Sequence, residues 1–367
     1  MLIGLFSLKL SEVKKMVDIV TVVIPGLIVG ILFGFILQRG RFCMNSAFRD
    51  IILLKEYKLA KGVALALGVE MIGFSILILG GIVTANPKPF TVLGSILGGL
   101  IFGIGMVLAS GCASGTSYRV GEGMTGSFVA LLGLGIGAYT TKSGVMSWAS
   151  SSLKTTIADP ITSGGLRIAG DATPIIMLII GIAVICVFVY FHLIPYLKER
   201  KEKNEAILDF SDMTTKIFKT AYPWWISGLA IAILNCAAWI SSAAGGRNYP
   251  LGITAGWLGW LQWSVTGLDS ALNWLVFMVA GLVLGSLIAA IISKEFKLRI
   301  PKEGKTLLLQ FLGGLLMGFG AVTAGGCNIG NLLSGIPMGS VGSIMTGIFI
   351  VLGCWLMAYL LFMRGEE

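Results

Sequence analysis

Charged residues are scarce in this chain. Of its 367 residues, 12% are Asp, Glu, Lys or Arg and 56% are hydrophobic, whereas a soluble protein carries roughly twice that charged fraction. The mean hydropathy is correspondingly high, at +0.90. These values exclude a soluble protein and predict an all-α polytopic membrane protein. The formal net charge of +9 comes mostly from basic clusters beside apolar runs, which the positive-inside rule explains, so it does not indicate a nucleic-acid partner.

Metal-ligand patterns are missing as well. The chain has one histidine, His192, and its cysteines form no CxxC pair and no Cys/His zinc spacing. The sequence therefore predicts no bound metal and no cofactor. A disulfide framework is also unexpected, because most of the cysteines lie within or beside membrane segments. The six are Cys43, Cys112, Cys186, Cys236, Cys327 and Cys354.

Glycine, in contrast, is abundant. The 51 glycines are about twice the usual share, as expected where helices pack closely through small residues. One glycine-rich segment occurs twice: residues 98–115, GGLIFGIGMVLASGCASG, match residues 313–330, GGLLMGFGAVTAGGCNIG, at ten of eighteen positions without a gap. Each copy contains a Gly-Cys pair in the same register. This pattern predicts an internal duplication with a cysteine at the functional end of each copy.

About nine apolar runs are predicted to cross the ~30 Å hydrocarbon layer, and one of them, residues 127–140, is a short span. They cover residues 18–38, 62–84, 91–110, 127–140, 174–196, 222–240, 271–292, 306–323 and 341–362. Between them we expect a re-entrant or half-length helix within residues 51–61 and an interfacial or half-buried helix in the tryptophan-rich run of residues 256–263. Residues 142–171 are expected to form a polar loop.

The basic residues orient these runs. The stretches 197–219 and 294–305 are rich in Lys and Arg, so we expect both to be cytoplasmic. The chain is thereby divided into a first membrane repeat (1–196), a cytoplasmic basic linker (197–219) and a second membrane repeat (220–367). The helices before Cys112 and Cys327 would then come from opposite faces of the membrane. That is an inverted repeat, with both cysteines near the midplane and both termini cytoplasmic.

Each Gly-Cys pair ends one membrane helix and precedes another. A restarting helix presents unpaired backbone N–H groups and the positive end of its dipole, which favour an anion. The cysteine adds a small, polarisable thiol that is a weak donor and a weak acceptor. A neutral thiol can donate to a soft anion without repelling it. The pattern therefore favours a sulfur-bearing anion over phosphate, for which arginine would be expected.

Cys43 lies in a third polar break, QRGRFCMNSAFRD at residues 38–50. We therefore expect Cys43 to be functional, like Cys112 and Cys327. The predicted substrate-binding residues are the cysteines and their small or polar neighbours: Cys43, Asn45, Gly111, Cys112, Ala113, Ser114, Gly326, Cys327 and Asn328.

Structural roles are expected for most other conspicuous side chains. Arg119 and Glu122 are expected either to pair with each other or to line an opening to the path. Glu70 is the main acidic residue inside a span and is interpreted as structural. The other residues interpreted as packing, helix-end or interfacial are Arg39, Arg41, Arg49, Asp50, Cys186, Cys236, Cys354, His192, Trp257, Trp260 and Trp263.

Three motifs carry a resemblance to a known family. They are RGRFCMNSAFRD around Cys43, SGCASGTSYRVGEG around Cys112 and AGGCNIGNLLSGIP around Cys327. In nature and order, these motifs resemble those of the YeeE/YedE family of bacterial membrane proteins. The likeness covers nearly the whole chain. The family includes thiosulfate uptake proteins and YedE members linked to selenium metabolism, and the SAFRD and YRVGEG segments look nearer to the YedE type.

The resemblance implies a helical fold with inverted pseudo-symmetry, an hourglass shape and several short re-entrant helices. It also implies that Cys43, Cys112 and Cys327 pass thiosulfate through a constriction by S–H···S contacts. A small TusA-like cytoplasmic partner (YeeD) is implied as well.

We therefore expect a non-enzymatic transporter of thiosulfate, or of a related sulfur anion, in a prokaryotic cytoplasmic membrane. A selenium compound or another sulfur species is the alternative within the same class. A conduit for Cu(I) is a further alternative, because thiolates select soft metals, although no Met-x-Met cluster stands beside the cysteines. A membrane sulfurtransferase would need an activated thiolate, for which Arg41 near Cys43 is the obvious neighbour.

Overall fold

The computed structural model describes residues 19–155, 166–195, 198 and 218–364. Most of the predicted linker, 197–219, lies outside the described residues. In the described part, thirteen α-helices make up the fold: α1 Ile24–Gly40, α2 Met44–Leu53, α3 Lys58–Leu79, α4 Val92–Leu108, α5 Ala113–Gly121, α6 Thr125–Ser143, α7 Ser147–Thr155, α8 Thr173–Phe188, α9 Trp224–Ala244, α10 Thr254–Thr266, α11 Trp274–Ile292, α12 Gly304–Thr323 and α13 Val341–Ala358. A π-helical segment, Ile329–Gly335, lies between α12 and α13.

Eight helical stretches in the described part are long and apolar enough to cross a membrane, and α6 with α7 would form a ninth, bent one. The nine predicted spans match these one for one, so the polytopic all-α fold is confirmed. The prediction of a polar loop over residues 142–171 is wrong at Ser147–Thr155, because these residues form α7. The axis of α7 is bent by 66° from that of α6. There the Ser152 hydroxyl donates to the Trp148 carbonyl one turn back, so a serine-rich sequence satisfies its hydroxyls within a helix.

The two copies of the repeated segment pack against each other along α4 and α12. A Cβ on Gly105 would stand 2.7 Å from the Gly313 carbonyl oxygen, and a Cβ on Gly320 would stand 2.6 Å from that of Gly98. Because residue 98 faces 320 while residue 105 faces 313, the two helices are antiparallel. In the repeat Gly98 corresponds to Gly313 and Gly105 to Gly320, so the two contacts are equivalent, as an inverted repeat requires.

The contacts on the outer sides of this helix pair are also equivalent between the two copies of the repeat. On α4, Gly103 packs against the backbone of Ile350 in α13; on α12, the corresponding Gly318 packs against the backbone of Leu134 in α6. At both positions a larger side chain would meet main-chain atoms. These glycines therefore set the distance between neighbouring helices, which accounts for much of the glycine content.

Short helical elements interrupt the spans next to the polar breaks. α2 has ten residues and α5 has nine, about 15 Å at 1.5 Å per residue, or half of a ~30 Å hydrocarbon layer. The half-length helix predicted within residues 51–61 lies earlier in the chain, where it begins at Met44 and ends at Leu53. It stops where the apolar run meets a charged one and Lys55 takes a left-handed backbone with φ 52°.

The helix ends define two faces of the bundle. At one, α1 finishes beside the loop that follows α11, where Arg39 pairs with Glu295; we refer to it as the Glu295 face. At the other, which we refer to as the Asn248 face, the Asn248 side-chain nitrogen donates to the Thr84 carbonyl at 2.8 Å. α4 starts at the Asn248 face and α12 at the Glu295 face, so the two Gly-Cys pairs are reached from opposite faces, as predicted.

Candidate functional site

Two of the three predicted cysteines are in direct contact. The Sγ atoms of Cys43 and Cys112 lie 3.7 Å apart, and both side chains are buried. Each occupies the residue before a half-length helix, Cys43 before α2 and Cys112 before α5. The Cys112 sulfur accepts from the Gly115 N–H at 3.3 Å and lies 3.4 Å from the Ser114 hydroxyl. Both thiols therefore stand at helix N-termini, where an anion is favoured.

Gly115 leaves the room that this contact needs. A Cβ at this position would lie 2.5 Å from the Cys43 sulfur and 3.2 Å from the Cys112 sulfur. A side chain here would have to displace one of the two thiols. Gly115 was not among the predicted site residues, although its identity with Gly330 in the repeat was an available signal.

Cys327 lies in the corresponding break of the second repeat, and its side chain is buried. Asn331 holds this break, because its Nδ2 donates to the Gly326 carbonyl at 2.7 Å and to the Cys327 carbonyl at 3.3 Å. Lys88 reaches the same break: a Cβ on Gly326 would collide with its Nζ, and a Cβ on Gly330 would stand 3.2 Å from it. Lys88, in the loop before α4, thus lies against the Cys327 segment.

Lys88 belongs to a cationic cluster on the Asn248 face. Its Nζ lies 4.6 Å from the centroid of the Tyr249 ring, and the guanidinium carbon of Arg247 lies 5.4 Å from the same centroid. Burial lowers the pKa of Lys88 to about 8; the neighbouring Cys327 opposes this shift and Arg247 adds to it. Burial also lowers the pKa of Arg247 to about 10. Both side chains are therefore cationic at neutral pH, and together they favour an anion.

A basic side chain lies against the first Gly-Cys pair too. A Cβ on Gly111 would stand 3.3 Å from Arg119 Nη1, and that nitrogen donates to the Ser110 carbonyl. Ser110 has a left-handed φ of 58°, and the corresponding Gly325 has 74°, so both breaks turn at the same position. Among the ion pairs of the described residues, none joins Arg119 to Glu122, so the pairing alternative of the sequence analysis is wrong.

Two predicted asparagines are buried with unused hydrogen-bonding capacity. Neither polar atom of the Asn328 side chain has a partner among the described residues, and the same is true of Asn45 Nδ2. Leaving a buried amide group unsatisfied costs roughly 1–3 kcal/mol, so these amides are available to bind water or a polar ligand. Asn45 Oδ1 lies 3.6 Å from the Cys354 sulfur, which places Cys354 beside the Cys43 break as well.

The structure therefore sorts the nine predicted residues into two groups. The first surrounds the contact between the paired thiols and comprises Cys43, Asn45, Gly111, Cys112, Ala113 and Ser114. The second follows α12 and comprises Gly326, Cys327 and Asn328.

Charged and polar side chains close the bundle at the Glu295 face, near Cys43. Arg39 is only 1% exposed and pairs with Glu295 at 2.5 Å; Gln38 Nε2 donates to Glu295 at 2.7 Å and to Glu122 at 3.2 Å. The interpretation of Arg39 as a simple helix-end charge missed this buried pair. Burial raises the pKa of Glu122. Burial also acts to raise the pKa of Glu295, but the Gln38 hydrogen bond and the arginine charges outweigh it and lower that pKa.

The interpretation of Trp257, Trp260 and Trp263 as interfacial side chains is incomplete for the first two. Trp257 Nε1 donates to the Ser117 hydroxyl of α5 at 2.9 Å, and Trp260 Nε1 donates to the Val276 carbonyl at 2.9 Å. α10 is thereby tied to the half-length helix that follows Cys112.

Comparison with known proteins shows relatives over nearly the whole chain. A family model described as sulphur transport matches residues 39–356. The thiosulfate transporter TsuA of Spirochaeta thermophila is 43% identical over 339 residues, which cover 92% of this chain and 99% of that protein. The thiosulfate transporter TsuA of Escherichia coli is 36% identical over 352 residues, 95% of this chain and 97% of that protein. The probable transporter YedE of Escherichia coli is 39% identical over 98 residues, 26% of this chain and 23% of that protein.

Proposed function

The chain belongs to the sulphur transport family, and from this premise we propose that it takes up thiosulfate across a prokaryotic cytoplasmic membrane. Thiosulfate is a dianion with hard oxygens at one end and a soft sulfur at the other. The two relatives that match nearly the whole chain are named thiosulfate transporters. The observation that carries the proposal is the composition of each Gly-Cys break, where a thiol, a chain break and a basic side chain lie together.

The first binding position lies at Cys327. Lys88 and Arg247 attract the dianion to the Asn248 face, and the Lys88 ammonium beside Gly326 takes the oxygens. The unpartnered Asn328 amide is a further donor for them. The Cys327 thiol donates to the terminal sulfur.

From Cys327 the anion passes to the paired thiols of Cys112 and Cys43. There the N-termini of α5 and α2 stabilise the charge, and each S–H group contacts the soft sulfur in turn. The three thiols act by hydrogen bonding alone, so no covalent intermediate forms and the protein is a transporter and not an enzyme.

The proposed path implies an orientation of the protein in the membrane. The Asn248 face is external and the Glu295 face cytoplasmic, because the basic stretch 294–305 lies at the latter. The proposed division of the chain is a first repeat 1–196, a cytoplasmic linker 197–219 and a second repeat 220–367, with both termini cytoplasmic. A small TusA-like protein (YeeD) at the Glu295 face would receive the thiosulfate.

The test is uptake of ³⁵S-thiosulfate into proteoliposomes that contain the full chain. We expect uptake that unlabelled thiosulfate suppresses and that sulfate, selenite and Cu(I) leave largely unchanged. Suppression by selenite or Cu(I) alone would transfer the function to the selenium or soft-metal alternative. Label retained on the protein, instead of in the lumen, would indicate a sulfurtransferase.

A further inference from the structure

Glu70 is a carboxylic acid in the interior of a membrane helix. It lies in the middle of α3 and is fully buried. Asn235 Nδ2 of α9 donates to its Oε1 at 2.8 Å, and its Oε2 has no partner among the described residues. The mechanism above does not use this group.

No positive charge compensates Glu70 in the described structure. Four elements pack against α3: α8, α9, α2 and the π-helical segment. From α9 the titratable group beside Glu70 is the Cys236 thiol, and α8 contributes only the exposed Cys186. On α2, Arg49 and Asp50 pair with each other at 2.8 Å. A carboxylate with no cation costs several kcal/mol at this depth, so the acid holds a proton in this conformation.

Asn235 connects this acid to the Cys327 break. Besides Glu70, its Nδ2 donates to the Leu333 carbonyl at 2.8 Å, and its Oδ1 accepts from the Leu251 N–H at 3.1 Å. Leu333 lies in the π-helical segment that follows Cys327, and Leu251 lies just before α10. Both N–H groups of the amide are thus in use. A carboxylate at position 70 would bind the amide more strongly than the neutral acid does and would weaken its bond to Leu333.

We propose that Glu70 is the proton-binding site of a thiosulfate–proton symport, an inference that rests on the proposed function. An inside-negative membrane potential opposes the uptake of a dianion in proportion to its two charges. One proton taken up with each anion halves that charge. The proton binds to the Glu70 carboxylate on the external side of the cycle and leaves to the cytoplasm with the anion; only an O–H bond forms and breaks. Asn235 transmits the protonation state to the segment that holds the substrate at Cys327.

The test compares accumulation with exchange in proteoliposomes. In the wild type, an inward proton gradient should raise ³⁵S-thiosulfate accumulation at least fivefold, and a trapped pH dye should report about one proton per anion. Glu70→Gln keeps an oxygen for Asn235 and cannot release a proton. It should lose the stimulation by the gradient while thiosulfate counterflow, which needs no net proton movement, stays within about twofold of wild type. Glu56→Gln, at the exposed end before the same helix, is the matched control and should behave as wild type.

Each outcome decides the matter. Gradient-driven accumulation in Glu70→Gln, or wild-type uptake without proton movement, overturns the symport while counterflow still supports thiosulfate transport. A wild type without counterflow overturns the proposed function itself. If Glu70→Gln does not fold, the proton-to-anion ratio of the wild type remains the deciding measurement.

Discussion

The sulfur atoms of Cys43 and Cys112 lie 3.7 Å apart in the protein interior, although 69 residues separate them in the chain. Each thiol precedes a different half-length helix, so the contact joins two breaks of the first repeat at one point. A substrate that passes this point must separate or touch both thiols. The consequences of this relationship can be measured directly.

Oxidation with diamide is expected to join these two residues. The two thiols would give their hydrogens and two electrons to the diazene, and an S–S bond of about 2.05 Å would form. Because the disulfide removes both donors, thiosulfate uptake should fall at least tenfold and dithiothreitol should restore it. Peptide mapping should show the Cys43–Cys112 link in wild type and in Cys186→Ala, which removes the exposed thiol. Equal sensitivity to diamide in Cys43→Ala would contradict the assignment.

Replacement of single thiols should separate the path from the fold. Cys112→Ala and Cys327→Ala are each expected to abolish uptake, because a step in the chain of S–H donors is lost, while the protein stays folded in the membrane. Cys186→Ala, on the exposed side of α8, should transport at the wild-type rate. Uptake assays with purified, monodisperse protein provide the measurement. A wild-type uptake rate in Cys112→Ala or Cys327→Ala would contradict the proposed path along three thiols.

The glycine beside the paired thiols offers a purely steric test. Gly115→Ala places a methyl group 2.5 Å from the Cys43 sulfur, so we expect a tenfold or greater loss of uptake and a stability loss of about 1–3 kcal/mol from overpacking. Gly304→Ala is the matched control, because nothing lies within 4 Å of a Cβ there. Uptake rate and thermal unfolding should be measured for both. A fully active Gly115→Ala would show that the thiol contact is not part of the path.

Much of this arrangement could be predicted from the chain itself. The register of Gly111-Cys112 with Gly326-Cys327 identified the duplication, and the apolar runs and basic loops gave its inverted orientation. These features are encoded in local sequence and in periodic packing glycines. They required no knowledge of which distant residues meet.

The missed features depend on long-range contacts. Lys88 lies in the stretch Asn86-Pro87-Lys88-Pro89, whose composition is typical of a turn. Only the fold brings it to Gly326, 238 positions later in the sequence. The pairing of Arg39 with Glu295 is likewise non-local. The helix α7 was missed for a different reason, because its serine-rich sequence satisfies hydroxyls by back-bonding and so resembles a loop in composition.

Lys88 gives the proposed binding position at Cys327 a predicted pH dependence. Burial lowers its pKa to about 8, so the ammonium is present below pH 8 and is lost as the pH rises through that value, whereas Arg247, with a pKa of about 10, stays charged at pH 9. If Lys88 binds the oxygens of thiosulfate, the apparent affinity for uptake should weaken about tenfold between pH 7 and pH 9. Lys88→Arg should flatten that profile, because a guanidinium keeps its charge, and Lys305→Arg, at an exposed position, should leave it unchanged. An affinity that falls equally in wild type and Lys88→Arg would assign the titration to another group and remove Lys88 from the site.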